Sequence, residues 1–85
     1  MGERAIGTVT HYYSHLGVAA IALKGELKAG DTVHIKGRTT DFTQKVGSIQ
    51  LEHHAIEAAH GGENIGIKVM DRTRERDLVY RITGE

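Results

Sequence analysis

Apolar residues fall along this chain in short runs with a two-residue repeat, separated by eleven glycines and by no proline. That is a pattern of strands and turns. The first run, Ala5 to Tyr13, puts Ile6 and then Val9 on a buried face, an offset of three rather than two, and Gly7 is the natural place for a bulge to absorb the extra residue. After Ser14, His15, Leu16 and Gly17 the run Val18 to Leu23 pairs back as a hairpin. Its alternating set Ala19, Ile21 and Leu23 stands against the smaller Ala20 and Ala22, so both faces are rather apolar, as in a barrel or a covered sheet.

Gly25 to Asp31 reads GELKAGD, a turn that delivers Leu27 to the edge of the core and uses Gly30 where a left-handed backbone is needed. The strand Thr32 to Lys36 follows, with Val33 and Ile35 inward, and ends at Gly37. Past an exposed connection at Arg38 to Asp41, a long strand is expected from Phe42 to Glu52, with Val46, Ile49 and Leu51 inward and a second bulge at Gly47. Residues 53 to 62, HHAIEAAHGG, lack strand character, and Ile56 and Ala59 are spaced for one helical turn. Asn64 to Met70 restores alternation through Ile65, Ile67 and Val69. Asp77 to Ile82 supplies the last alternating set, Leu78, Tyr80 and Ile82. Six strands with bulge glycines and no long helix predict an all-β fold, a small six-stranded closed or nearly closed β-barrel over a single domain spanning residues 1–85.

Composition narrows the function classes. Eighty-five residues at 39% apolar content suffice for one modest core. Eleven basic and eleven acidic residues cancel, so bulk charge exerts no pull toward nucleic acid or an anionic surface, and such a partner must be met by a local patch. Without cysteine there is no disulfide, thiolate metal site or cysteine nucleophile. No apolar run approaches the roughly 20 residues that span a bilayer, and the amino terminus lacks a charged stretch leading into an apolar segment. The expected location is cytoplasmic, with no membrane partner. With only Tyr12, Tyr13, Phe42 and Tyr80 as aromatics, a base-stacking platform is not expected.

The candidate chemistry is thin. His11, His15, His34, His53, His54 and His60 show no fixed ligand spacing such as HExxH, and no metal site is expected from them. Ser14 beside His15 is adjacency rather than triad geometry, and Ser48 lacks a nucleophile elbow. GGENIG at residues 61 to 66 leads into a strand, whereas a phosphate loop leads into a helix, and GKS or GKT is absent. Neither an enzyme, nor a nucleotide site, nor any cofactor is expected. The densest basic group is Lys68, Arg72, Arg74, Arg76 and Arg81, interleaved with Asp71, Glu75 and Asp77. It reads as a solvated hairpin with local ion pairs or as a phosphate-binding face extended by His53 and His54.

Four stretches taken in order, IGTVTHYY, GVAAIALKGELKAGDTVHIKG, VGSIQLEHHAIEAAHGGENIGIKV and DLVYRI, resemble the second domain of translational GTPases such as elongation factor Tu and initiation factor relatives. The resemblance implies a six-stranded barrel of the translation-factor domain 2 type, here without the GTPase domain that normally precedes it. It also implies an RNA contact. The family position that carries an acid beside the terminal adenosine of tRNA aligns with Gln50, and a nearby basic position aligns with His53, so both residue types have changed. Another departure is Arg76 before Asp77, where the family often has glycine.

The expected role is therefore a noncatalytic, elongation-factor-like binding module for tRNA, the ribosome or a translation partner, acting through Gln50, His53, His54, Lys68, Arg72 and Arg74. The alternative is an accessory barrel that contacts another polypeptide. Related barrels occur fused to non-GTPase enzymes, including peptidases of the collagenase-like U32 type.

Overall fold

The computed structural model describes residues 2–83, and these form ten strands and no helix. In chain order they are β1 (Gly2–Tyr13), β2 (Val18–Leu23), β3 (Leu27–Lys28), β4 (Thr32–Lys36), β5 (Asp41–Lys45), β6 (Ile49–Leu51), β7 (His54–Ile56), β8 (Ala58–Ala59), β9 (Asn64–Lys68) and β10 (Leu78–Thr83). Eight of them make one antiparallel sheet in the order β5-β4-β10-β1-β2-β9-β6-β7, and β3 pairs with β8 in a separate two-stranded ribbon.

The twelve-residue β1 is the spine of the sheet, with β10 on one side and β2 on the other. Its register slips between Ala5 and Gly7 against β10, and between Val9 and His11 against β2. These bulges allow Ile6 and Val9, three apart, both to be buried. Gly7 is held to glycine by contact: a Cβ there would lie 2.8 Å from the Ala22 carbonyl oxygen and 2.9 Å from Ile21 Cγ2. Ile6, Val9, Ala19, Ile21, Val33, Ile35, Ile49, Ile67 and Val79 meet inside the curl of the sheet with Leu27 and Ala59 from the ribbon.

The expected closed barrel does not form. β5 and β7 end the sheet, and no ladder joins them. A side chain links β5 to the end of β9 instead: the Gln44 amide donates to the Lys68 carbonyl at 2.8 Å and accepts from the Met70 N–H at 2.7 Å. Nor is Phe42 to Glu52 a single strand. The Val46 N–H donates to the Asp31 carbonyl, and its own carbonyl accepts from the Gly30 N–H, both at 2.8 Å, so its backbone is committed to the β3–β4 turn. The chain is redirected through Gly47 and Ser48 before β6 pairs with β9. The helical turn expected within residues 53–62 is replaced by β7 and β8. Glu52 and His53 have φ of 51° and 70°, the positive pair that a type I′ hairpin requires between β6 and β7.

Three other turns share one design. In each, the fourth residue donates its N–H to the carbonyl of the first, the third has positive φ, and the acidic side chain of the fourth accepts the N–H of the first. Lys28 to Asp31 does this with distances of 3.0 and 2.9 Å and Gly30 at 96°. His60 to Glu63 repeats it at 3.2 and 2.7 Å with Gly62 at 94°. Arg74 to Asp77 repeats it at 3.1 and 2.8 Å with Arg76 at 78°. These are type II turns with an acidic cap, and they feed β4, β9 and β10.

Candidate functional site

β2, β9 and β6 lie side by side, and their outward side chains form rows set by the register. Ala20 pairs with Gly66, and Gly66 with Gln50, so two of the smallest residues floor a trough whose third member is a glutamine. The next row pairs Val18 with Lys68. The β1–β2 turn rises at one end, with Tyr13 47% and Leu16 62% exposed. Glu52 and His53 stand at the other, presented by the type I′ turn. The result is two adjoining clefts of about 360 and 240 Å³ that share Leu16, Val18, Gln50 and Gly66. Asn64 lines the larger, and Ser48 and Lys68 the smaller.

Three residues singled out from the sequence, Gln50, His53 and Lys68, therefore border one groove. Arg72 and Arg74 do not join them. They line a separate cleft of about 250 Å³ with Thr39, Thr40, Asp41, Phe42 and Asp71. His54 is exposed on β7 and borders none of these clefts. Tyr13, Leu16, Asn64 and Gly66 were not foreseen as groove residues. Tyr13 and Leu16 had a signal, being apolar residues in or beside a turn, where polar residues are the norm.

The histidines do not converge on a metal: no group of three or more His, Cys, Asp or Glu side chains is placed to hold an ion among the described residues. Three of the six instead meet acids. His11 lies 3.7 Å from Glu75, and His60 3.7 Å from Glu26. His34 is the most involved, donating from Nδ1 to Glu3 at 2.7 Å and from Nε2 to Asp41. The Asp41 hydrogen bond, and then that of Glu3, hold its pKa above the ordinary value of 6.5 against the opposing effect of burial. This bridge lies on β4 with ends on β1 and β5, remote from the groove in strand order. No helix of the described residues is long and apolar enough to cross a membrane.

The chain is 42% identical over 76 residues, 88% of its length, to an uncharacterized protease of Methanocaldococcus jannaschii. It is 40% identical over 78 residues to a collagenase of Porphyromonas gingivalis. The chain spans about one fifth of these relatives, 19% of the first and 22% of the second. Among solved structures it is similar to the C-terminal domain of a Geobacillus thermoleovorans protein classed as a U32 peptidase, with a TM-score of 0.88 at 23% identity over 94% of this chain and 93% of that one. A selenomethionine form of the same domain gives a TM-score of 0.85 at 24% identity, over 89% of this chain and 96% of that one. No protein-family model matches.

These relatives overturn the resemblance to translational GTPases, and with it the expected translation role and its tRNA or ribosome partner. The motifs behind that resemblance are largely fold chemistry. GELKAGD and the stretch HGGENIGI hold two of the three acid-capped turns, and V-x-S-I-Q is the redirected segment with its buried Val46 and Ile49. Such residues specify turns and a core that unrelated functions share.

Proposed function

We propose that this chain is a noncatalytic accessory domain of a U32-peptidase-type protein, acting through protein–protein contact with a peptidase portion. The observation that carries this reading is the 42% identity extending over 88% of the chain but over only 19% of a protease: a domain-sized segment is shared, and most of the relative lies outside it.

The test uses the Porphyromonas collagenase with the segment matching this chain deleted. The intact 85-residue chain is added in trans, and association is followed by sedimentation velocity and calorimetry. One-to-one association is expected, and the chain alone should release no peptide from gelatin. Absence of association with a well-folded truncated collagenase overturns the accessory role, and peptide release by the chain alone overturns the noncatalytic assignment.

A further inference from the structure

β10 carries its larger apolar side chains on the side away from the core. Val79 faces inward and is fully buried, but the inward position two residues on is Arg81, which lies near the Glu26 carbonyl and Asp31. Leu78, Tyr80 and Ile82 alternate to the outer face, where Leu78 is 40% exposed and the other two are half-buried. A sheet with one wet face places polar residues there, whereas a strand covered on both sides reads as a near-continuous apolar run. Isolated surface hydrophobics need no explanation, but three in line on a central strand do.

The neighbours cover this ridge only in part, the Tyr80 ring lying beside that of His34 with centroids 6.2 Å apart. Leu78 pairs with Thr8 on one side and Lys36 on the other, Tyr80 with Ala5 and His34, and Ile82 with Glu3. Ala5 and Thr8 are too small to cover it. A rim is fixed along it by the hydrogen bonds of His34 to Glu3 and Asp41. A rigid apolar ridge edged by anchored polar groups has the anatomy of an interface core and its surround.

We propose that the Leu78–Tyr80–Ile82 ridge is the docking face for the peptidase portion of a U32-type protein, an inference that rests on the accessory role above. Two observations select this occupant. About four fifths of each curated relative lies outside the matched segment, so those proteins carry a large further polypeptide able to cover such a face. The Geobacillus domain is C-terminal, so the rest of that protein enters the fold through the strand equivalent to β1. Here Gly2 and Glu3 open β1 directly opposite Thr83 and Ile82, and polypeptide entering there arrives beside the end of the ridge. The groove at Gln50 lies on the other side of β1, on β2, β9 and β6.

The experiment is the same association measurement, made with Leu78→Lys, with the double variant Leu78→Glu/Tyr80→Glu, and with Gln50→Glu as a groove control. Leu78 lies outside the buried core, so Leu78→Lys retains the fold even if the double variant does not, and circular dichroism monitors both. The expected result is affinity weakened about 30-fold or more by Leu78→Lys, the loss typical of a central apolar anchor, and unchanged by Gln50→Glu. If the native chain binds and Leu78→Lys binds equally well, the ridge assignment is overturned while the accessory role stands. If the native chain does not bind, the accessory role itself fails and this inference with it. If the chain alone is a dimer that Leu78→Lys dissociates, the ridge belongs to a second copy and the proposal is overturned.

Discussion

His34 is a single side chain that ties β4 to β1, strands otherwise joined only through β10. It sits on β4, reaches Glu3 on β1 across the intervening β10, and reaches Asp41 on the end strand β5. Both bonds require the doubly protonated ring to be at full strength. Its pKa is raised above 6.5, first by Asp41 and then by Glu3. A group whose folded pKa lies above its unfolded value contributes all of its stabilisation below the unfolded pKa and loses it as pH rises through the folded one. Thermal stability should therefore decline from about pH 6.5 upward, and His34→Gln should remove that part of the decline. The effect should be a few degrees at most, because Glu3 and Asp41 are well solvated, their side chains 42% and 68% exposed. Melting curves of the two proteins at pH 6 and pH 9 test this, and parallel pH dependence in both would exclude the bridge as its source.

Among the elements, the three acid-capped turns offer an internal comparison. Gly30 and Gly62 have the positive φ of a type II turn, and a Cβ at either would meet nothing within 4 Å; Arg76 takes the same place in the third turn at 78°. A non-glycine residue there costs about 1–2 kcal/mol of backbone strain, part of which glycine gives back through its freer unfolded chain. Arg76→Gly should thus stabilise the protein by about 0.5 kcal/mol, and Gly30→Arg should destabilise it by about 1 kcal/mol. Urea midpoints report both, and equal signs would show that side-chain contacts rather than backbone angle govern these sites. The same level shows what was legible in the sequence. Val18–Leu23 and Thr32–Lys36 are the strands that alternation predicts, and the bulge beside Gly7 follows from the three-residue step between Ile6 and Val9. The break at Val46 was not legible, because its backbone partners, Gly30 and Asp31, lie in a distant turn. β7 was hidden because Glu52 and His53 make a type I′ turn without the usual asparagine or glycine. In β10 the alternating set was visible but its direction was not: local pattern gives a face, and pairing decides whether that face meets the core. Gln50, His53 and Lys68 were singled out one by one, but the groove they share depends on the pairing of β2, β9 and β6, which no local signal in the chain reports.

For the molecule as a whole, the consequential difference is between a closed barrel and a curled sheet. A barrel has no edge strand, so its strands share protection through continuous ladders. Here β5 and β7 each have one ladder neighbour, whereas β1, β2, β9 and β10 are flanked on both sides. Local opening free energy follows buried contacts and paired backbone. Amide exchange should therefore be slowest in the four central strands, at the level of global unfolding, and faster by orders of magnitude in β7. β5 should be intermediate, because Gln44 fastens it to the backbone at Lys68 and Met70. Gln44→Ala removes both bonds and should bring the exchange of β5 up toward that of β7 while leaving β1 and β2 unchanged. Uniform protection across all strands would instead require a ladder between the sheet's two ends. Binding on the β10 ridge would cover the inner part of the sheet and leave β7 free, so added protection confined to β4, β10 and β1 on complex formation is the whole-molecule signature of docking there.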